Sequence, residues 1–533
     1  MNAPLVSASE LWSWLHDGEE LCVIDVRDGG PYSRSHILVA VSIPLALCEI
    51  QLPRLVPRRT TRIVLYGEST EQANSAFTTF SDNGYSNVHQ LSDGLDGWTS
   101  SGYQVFSGSG IVSKAFGELV EHDYDTPRIT AHELRAWHTQ GKHFVSLDAR
   151  PLGEYRTVSL PHATNCPGAE LVYRAPAVID DVTVPIVVNC AGRTRSIIGA
   201  QSLVNAGIQN PVYALKNGTM GWQLDGSDTK RGESNMIAHP DSDSRRHAQQ
   251  LAHTVAMKYG VKFISPEQLR ILQSELERTT YLFDVRQTDD YDMSHFPGSV
   301  HAPGGQLVQA TDSYAAVRNA RLVLVDEHKI QSVMTAHWLM QMGWDVSVLD
   351  TNTDAFLESG PTTVEPLNQS RRHPATITAS ELNEFLDSSC VVVDVGESYW
   401  YREGRIPGSF YSMRTQLHQS MKKFATTSPV VVCCGDGTIS PFAATDICDL
   451  GFTDVRVLQG GRTGWKRAGF PLERIGEDTD EKVLSETDDM WYPPWARKEG
   501  VDEAIMQYLT WETGLLEPVS KETYLRFSIP KEL

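Results

Sequence analysis

Cys190 has neighbours that could make its thiol a nucleophile. It follows an apolar stretch, residues 185–189, and precedes the run Ala-Gly-Arg-Thr-Arg-Ser, after which a helix-forming segment begins. Backbone N–H groups converge where a strand passes into a helix, so such a turn binds anions and lowers the pKa of a thiol. Arg193 and Arg195 add positive charge. We therefore expect a Cys190 thiolate in a small anion-binding loop, able to attack sulfur or phosphorus; a buried, unreactive cysteine is the alternative.

The setting of Cys190 belongs to a unit that occurs four times. Each unit has an aspartate that closes a short apolar strand, at Asp25, Asp148, Asp284 and Asp394. Seven residues later comes a tyrosine, at Tyr32, Tyr155, Tyr291 and Tyr401. A second strand ends 42 residues after the aspartate, or 40 in the last unit. The residue at that position, here named the slot, differs between units: Gly67, Cys190, Asp326 and Cys434. Only two slots therefore hold a sulfur nucleophile.

The elements around each slot predict an α/β fold. A helix-capping pattern opens every unit, short apolar strands alternate with helical segments, and a glycine 17 residues after each slot indicates a helix end. With 533 residues and repeats 110 to 136 residues apart, the chain should form tandem globular domains, each a mainly parallel sheet covered by helices. We expect four units and a tail with an amphipathic helix, at residues 1–110, 124–232, 255–360, 374–475 and 476–533.

Composition limits the partners. The net charge of −21 opposes binding to nucleic acid, and no apolar run is long enough to span a membrane. The eight cysteines show neither a disulfide framework nor metal-ligand spacing, which predicts a reducing, cytoplasmic location. The tail holds Trp491-Tyr-Pro-Pro-Trp495 and apolar residues at helical spacing. We expect it to pack over its own domains, with docking of a partner protein or a second copy as the alternative.

The repeat resembles the rhodanese domain, a family of sulfurtransferases. Asp284-Val-Arg, with Tyr291 and His295-Phe-Pro-Gly298, is similar to the opening signature of the family. Gly94-Leu-Asp-Gly-Trp98 and Gly218-Thr-Met-Gly-Trp222 are similar to its closing signature. The resemblance covers about residues 5–475, nearly everything except the tail.

The resemblance implies transfer of a sulfane sulfur. The cysteine would take sulfur from a small sulfur-containing anion, such as thiosulfate or a persulfide, and pass it as a persulfide to a thiol or to cyanide. No metal or organic cofactor is implied. Cys190 would be the nucleophile, and Asp148 and Arg150 would orient its loop or balance charge. The substrate would be bound by the loop amides and by the two arginines, in the run Ala191, Gly192, Arg193, Thr194, Arg195 and Ser196.

Three questions stay open in the sequence. Gly67 and Asp326 should leave units one and three inactive, with structural roles or docking of partners instead. Cys434 lies among glycines but lacks the arginines and has Asp436 nearby, so it is a weak second site, a site for a neutral or cationic donor, or inert. A persulfide carrier for a partner protein is the second hypothesis. A phosphatase-like enzyme is the third, disfavoured because the related phosphatases have their arginine six residues after the cysteine, where this chain has Ser196.

Overall fold

The four predicted repeats fold into four five-stranded sheets. A computed structural model of the chain describes residues 3–179, 181–362, 364–368, 374–386, 390–474, 481–497 and 499–530. The first sheet contains β1 (Leu5–Val6), β2 (Cys22–Asp25), β3 (Ala40–Ser42), β4 (Ile63–Tyr66) and β5 (Val88–Leu91). The second contains β6 (Arg128–Ile129), β7 (Val145–Asp148), β8 (Thr164–Asn165), β9 (Ile186–Asn189) and β10 (Val212–Leu215). The third contains β11 (Lys262–Ile264), β12 (Thr280–Asp284), β13 (Val300–His301), β14 (Arg321–Val325) and β15 (Asp345–Leu349). The fourth contains β16 (Ala375–Ile377), β17 (Val391–Asp394), β18 (Phe410–Tyr411), β19 (Val430–Cys433) and β20 (Val455–Leu458).

All four sheets are parallel and share one strand order. In the second sheet this order is β6-β10-β9-β7-β8, and the equivalent strands follow the same order in the others. The register pairs Asp148 at the end of β7 with Asn189 at the end of β9. The conserved spacing between aspartate and slot therefore places both at the same carboxyl edge, where sites form in parallel sheets. The predicted α/β class is confirmed.

Helices cover the sheets. Unit one contains α1 (Ala8–His16), α2 (Gly29–Arg34), α3 (Cys48–Leu55), α4 (Thr70–Asp82) and α5 (Gly94–Ser100), and α6 (Ile111–Tyr124) connects it to unit two. Unit two contains α7 (Ala131–Thr139), α8 (Leu152–Thr157), α9 (Leu171–Arg174), α10 (Thr194–Asn205) and α11 (Gly218–Leu224), followed by the connecting helix α12 (Ser242–Tyr259). Unit three contains α13 (Pro266–Ser274), α14 (Thr288–Met293), α15 (Gly304–Gln309) and α16 (Gln331–Gln341). Unit four contains α17 (Ala379–Phe385), α18 (Ser398–Glu403), α19 (Leu417–Ser420), α20 (Ser440–Asp449) and α21 (Gly461–Arg467), and the tail contains α22 (Val501–Thr513) and α23 (Leu516–Ser520).

The repeated residues fasten each unit internally. Each repeated tyrosine hydroxyl donates to the carbonyl eight residues further on; Tyr155 donates to Ala163 O at 2.6 Å. The capping boxes predicted at the start of each unit are formed, as between Thr130 and Glu133. The glycine after each slot helix has a positive φ, +83° at Gly207. The repeated tyrosines, capping boxes and glycines therefore stabilise the local structure of each unit.

The units are packed against one another. One hydrophobic cluster runs through the first three units, and unit four has clusters of its own. Unit two contacts unit three closely, since the Trp338 indole N–H donates to Ser202 Oγ at 2.8 Å. Arg414 of unit four forms an ion pair with Glu49 of unit one at 2.9 Å. Among the described helices, none has the length and apolar character needed to cross a membrane.

The tail packs over the units, as the sequence predicts. Leu515 and Val519 are buried in a cluster with Leu38 and Ile111 of unit one and its connecting helix. Ile505 and Leu509 of α22 are buried against Met220 of unit two. The amphipathic pattern is thus satisfied within the chain itself.

Two glycine-to-alanine variants should separate backbone conformation from packing. At Gly207 (φ +83°) and at Gly153 in α8, an added Cβ would meet nothing within 4 Å. We expect Gly207→Ala to destabilise unit two by about 1 kcal/mol, because its φ lies in the left-handed region. Gly153→Ala should stabilise it by about 0.5 kcal/mol, since alanine is the better helix former.

Urea unfolding followed by circular dichroism would measure both effects as shifts of the transition midpoint. Equal midpoints for the two variants would contradict the conformational explanation.

Candidate active site

Cys190 lies at the turn between β9 and α10, as the sequence predicts. It is 2% exposed, and its Sγ lies 3.6 Å from Ser196 Oγ. Within the described part of the chain, the N–H groups of residues 191–195 donate no hydrogen bond, whereas the Ser196 N–H donates to the Arg193 carbonyl at 3.1 Å. Residues 190–196, here named the cradle, therefore present unpaired donors around the sulfur, a geometry suited to anions.

Unit three contains the same turn with a carboxylate already in it. Asp326 occupies the slot, and its side-chain oxygens accept the N–H groups of His328, Ile330 and Ser332 at 3.0 to 3.1 Å. The Ser332 hydroxyl also donates to this carboxylate. By position, the donors of unit three correspond to residues 192, 194 and 196 of the cradle. This turn therefore accommodates an acceptor group at the slot, and in unit three the Asp326 side chain supplies it.

Burial raises the pKa of the Cys190 thiol above its ordinary value. The positive charge of Arg195 and the hydrogen bond with Ser196 act in the opposite direction but do not outweigh it, and the nearby Glu512 carboxylate raises the pKa further. The lowered thiol pKa expected from the sequence is therefore wrong for this structure. The sequence indicated the two arginines but not the depth of burial or the carboxylates that face them.

Arg193 points away from the sulfur and into a cluster of acidic side chains. Its guanidinium donates to Glu118 at 2.6 and 2.7 Å, to Glu121, and to Asn217 Oδ1 at 3.2 Å. Both glutamates belong to α6, the helix between units one and two. The contacts make Arg193 a link between the cradle and α6, a role that the sequence pattern did not indicate.

Arg195 lies beside the sulfur but is also paired. Its guanidinium donates to both carboxylate oxygens of Glu154, at 2.7 and 2.8 Å, and to Gln306 Oε1 of unit three at 3.0 Å. Burial would raise the pKa of Glu154, but Arg195 outweighs that effect and lowers it. Arg195 therefore stays in place for an incoming anion, held by two neighbours.

Asp148 and Arg150 hold the base of the cradle. Arg150 Nη2 forms an ion pair with Asp148 Oδ2 at 2.7 Å and donates to the Val158 carbonyl at 2.6 Å. Asn189, directly before the cysteine, donates to Asp148 Oδ2 at 2.9 Å. These bonds connect two strand ends to the start of the loop, in keeping with the positioning role expected for the pair.

The remaining slots differ from the cradle of unit two. In unit one, Gln72 Oε1 lies 2.8 Å from the place where a Cβ on Gly67 would be. In unit four, Cys434 is fully buried; its Sγ accepts the Gly437 N–H at 3.2 Å and lies 3.8 Å from Asp436 Oδ1. Asp436 is therefore next to the sulfur, as the sequence suggested.

Arg462 compensates for an arginine missing from unit four. Asp394 there is followed two residues later by Gly396 instead of arginine. Arg462 lies in α21, and its side-chain Nε is 3.3 Å from Asp394 Oδ2. The backbone N–H of Arg462 donates to the Cys434 carbonyl at 2.8 Å. No sequence pattern indicated this residue, because its partner Asp394 is 68 positions away and belongs to another element.

The tail turns the surroundings of Cys190 into a chamber. A cavity of about 420 Å³ contains the cysteine, and its lining includes Lys114 and the tail residues Trp491, Trp495, Tyr508, Trp511 and Glu512. Unit one and α15 of unit three contribute further lining residues. The volume is typical of sites for organic ligands, about 300–1,000 Å³. The sequence singled out the tryptophans but could not place them, because more than 300 residues separate them from the cysteine.

The site and fold identify the family. A family model described as Rhodanese-like domain matches residues 7–101, 130–225, 265–359 and 378–468, well over half of the chain. Each match contains four strands of one sheet together with its slot, and begins just after the first strand of that sheet. The chain belongs to the rhodanese family. In the part of the chain that the structure describes, no group of three or more candidate ligands could hold a metal ion.

Three similar proteins share one activity name. A crystal structure of thiosulfate sulfurtransferase from Pseudomonas aeruginosa matches with a TM-score of 0.90 and 39% sequence identity, over 99% of both chains. Thiosulfate sulfurtransferase GlpE from Pseudoalteromonas translucida is 31% identical over 93 residues, which is 17% of this chain and 89% of the relative. The GlpE of Ectopseudomonas mendocina is 32% identical over 97 residues, 18% of this chain and 88% of the relative. This similarity supports a sulfurtransferase role in general.

Alkylation of Cys190 should reveal the raised pKa. Because only the thiolate reacts, its rate with iodoacetamide should rise through an inflection above that of an ordinary cysteine. Arg195→Gln should move the inflection to higher pH, because it removes the positive charge that favours the thiolate. Mass spectrometry of the Cys190 peptide measures the rate.

Arg156→Gln is the matched control, since Arg156 is an exposed arginine of the same unit. An inflection below the ordinary thiol value would instead restore the lowered pKa that the sequence predicted.

Proposed function

We propose that this protein is a sulfurtransferase with one principal active site, at Cys190. The Cys190 thiolate attacks the sulfane sulfur of thiosulfate or a persulfide donor, the S–S bond of the donor breaks, and the leaving group departs with the bonding electrons. From thiosulfate the products are sulfite and a Cys190 persulfide. A thiol or cyanide then attacks the outer sulfur and regenerates the thiolate. The step needs no oxidant, reductant or cofactor.

The observation that carries this proposal is the cradle with unpaired N–H donors around a cysteine. Asp326 demonstrates within the same chain that such donors accept negative charge at the slot. An anionic persulfide at Cys190 would place its charge among the equivalent amides, and Arg195 would add a cation on the same side. The short loop, with arginine five residues after the cysteine, favours sulfur transfer over phosphate chemistry.

The other slots support a single principal site. Asp326 and Gly67 provide no sulfur nucleophile, and Asp436 places negative charge within 3.8 Å of the Cys434 sulfur, which would repel an anionic donor. We propose that units one and three line and support the site of unit two. We also propose that the reaction takes place in the reducing cytoplasm. Docking of a partner protein on these units stays a prediction.

Intact-mass analysis tests the proposal. After incubation with thiosulfate and removal of excess reagent, the wild type should gain one sulfur, about 32 Da. Cys190→Ser should abolish both the gain and the turnover with cyanide, because it removes the nucleophile. Cys434→Ser, a matched change at the other buried slot cysteine, should retain most of both.

Equal losses in the two variants would refute the single-site proposal. A stable persulfide without turnover would favour a carrier that passes sulfur to a partner protein, and absence of any gain would exclude thiosulfate as the donor. Hydrolysis of an aryl phosphate that depends on Cys190 would favour the phosphatase alternative.

A further inference from the structure

Glu512 places a buried carboxylate against the cradle. It belongs to α22 of the tail and is 2% exposed. Its Oε1 accepts the Thr194 hydroxyl at 2.9 Å. Its Oε2 is also buried, yet accepts no hydrogen bond from the residues that the structure describes. This oxygen lies 3.0 Å from the place where a Cβ on Gly192 would be, so it is aimed at the loop that holds Cys190. A buried carboxylate oxygen without a donor is costly unless a ligand supplies one.

The cations of the chamber are engaged elsewhere. Arg193 is bonded to Glu118 and Glu121, and Arg195 is bonded to Glu154. The Lys114 ammonium donates to the Ser109 carbonyl and lies 5.1 Å from the centre of the Trp511 ring. Arg497, which also lines the cavity, is exposed. Among the described residues, no cation contacts the Glu512 carboxylate directly, and Lys114 interacts with it only electrostatically.

Aromatic rings surround the same space. Four of the lining residues are Trp491, Trp495, Tyr508 and Trp511. The faces of such rings attract cations, and rings combined with a carboxylate are suited to an ammonium group on an apolar stem. A five-atom inorganic anion would use neither feature, and the Glu512 charge would repel it.

We propose that the chamber selects, as sulfur acceptor, a small organic thiol that carries an ammonium group, which Glu512 and the aromatic rings bind. This inference rests on the proposed sulfurtransferase activity. The acceptor thiolate attacks the outer sulfur of the Cys190 persulfide, a new S–S bond forms on the acceptor, and the bond to Cys190 breaks as its sulfur takes back the electron pair. Glu512 positions the acceptor and takes no part in the electron transfer.

Three thiols of similar size distinguish recognition from general reactivity. With thiosulfate as donor, kcat/KM would be measured for cysteamine, 2-mercaptoethanol and 3-mercaptopropionate at equal thiolate concentration. We expect the wild type to prefer cysteamine by about tenfold, the effect of one charge-assisted hydrogen bond. Glu512→Gln should remove this preference. The same change should raise kcat/KM for thiosulfate, because it removes a negative charge that repels this anion. Glu503→Gln, an exposed glutamate on the same helix, should change neither value.

Equal loss with all three thiols in Glu512→Gln would overturn the proposal, as would absence of a preference in the wild type.

A second measurement does not depend on sulfur transfer. S-methylcysteamine carries the ammonium group but has no thiol, and its binding to Cys190→Ser would be followed by tryptophan fluorescence. The comparison is with the double variant Cys190→Ser/Glu512→Gln. Saturable binding to Cys190→Ser that is about tenfold weaker in the double variant supports recognition of the ammonium group, even if thiosulfate is not the donor. Equal binding to both proteins would contradict it.

Discussion

The N–H groups at the turn from a strand into a helix must either bond to an acceptor or remain open to a ligand. This requirement applies to the turn at the slot in all four units. Each unit forms this turn in the same way, on a parallel sheet. In each sheet the strand before the slot and the neighbouring strand with the repeated aspartate end side by side. Unit three satisfies it with the Asp326 carboxylate, and unit four directs one N–H to the Cys434 sulfur. Unit two leaves its donors to the chemistry at Cys190. The same backbone turn is thus filled by a side chain in unit three, whereas in unit two the N–H groups of residues 191–195 are unpaired within the described part of the chain.

The local structure was predictable because it depends on short-range rules. Capping boxes, helix-ending glycines and apolar strands each involve residues within a few positions, so a single sequence reveals them. The placement of the strand-end aspartates beside the slots followed from the parallel sheet. Cys190 was found for the same reason, since the strand, turn and helix that define its cradle are contiguous.

The properties of the site that depend on distant residues were not predictable. The raised pKa of Cys190 results from burial and from Glu512, which is separated from it by more than 300 residues. Arg193 was expected to meet substrate but contacts α6, because nothing in its own loop indicates the acidic side chains of the connecting helix. Arg462 was missed in the same way. Sequence reasoning thus located the turn that holds Cys190 but not the surroundings that set the pKa of its thiol.

The chamber can be completed only late in the synthesis of the chain. Unit two can form its sheet as soon as its own strands are synthesised, but α22 leaves the ribosome only after units three and four. Until then, Cys190 lacks the aromatic wall and lies open to oxidants, which convert exposed thiolates to sulfenic and higher acids. The raised pKa of the Cys190 thiol likewise depends partly on α22, because Glu512 of that helix is one of its causes. A chain interrupted before Val501 would carry Cys190 without the helix that lines its chamber.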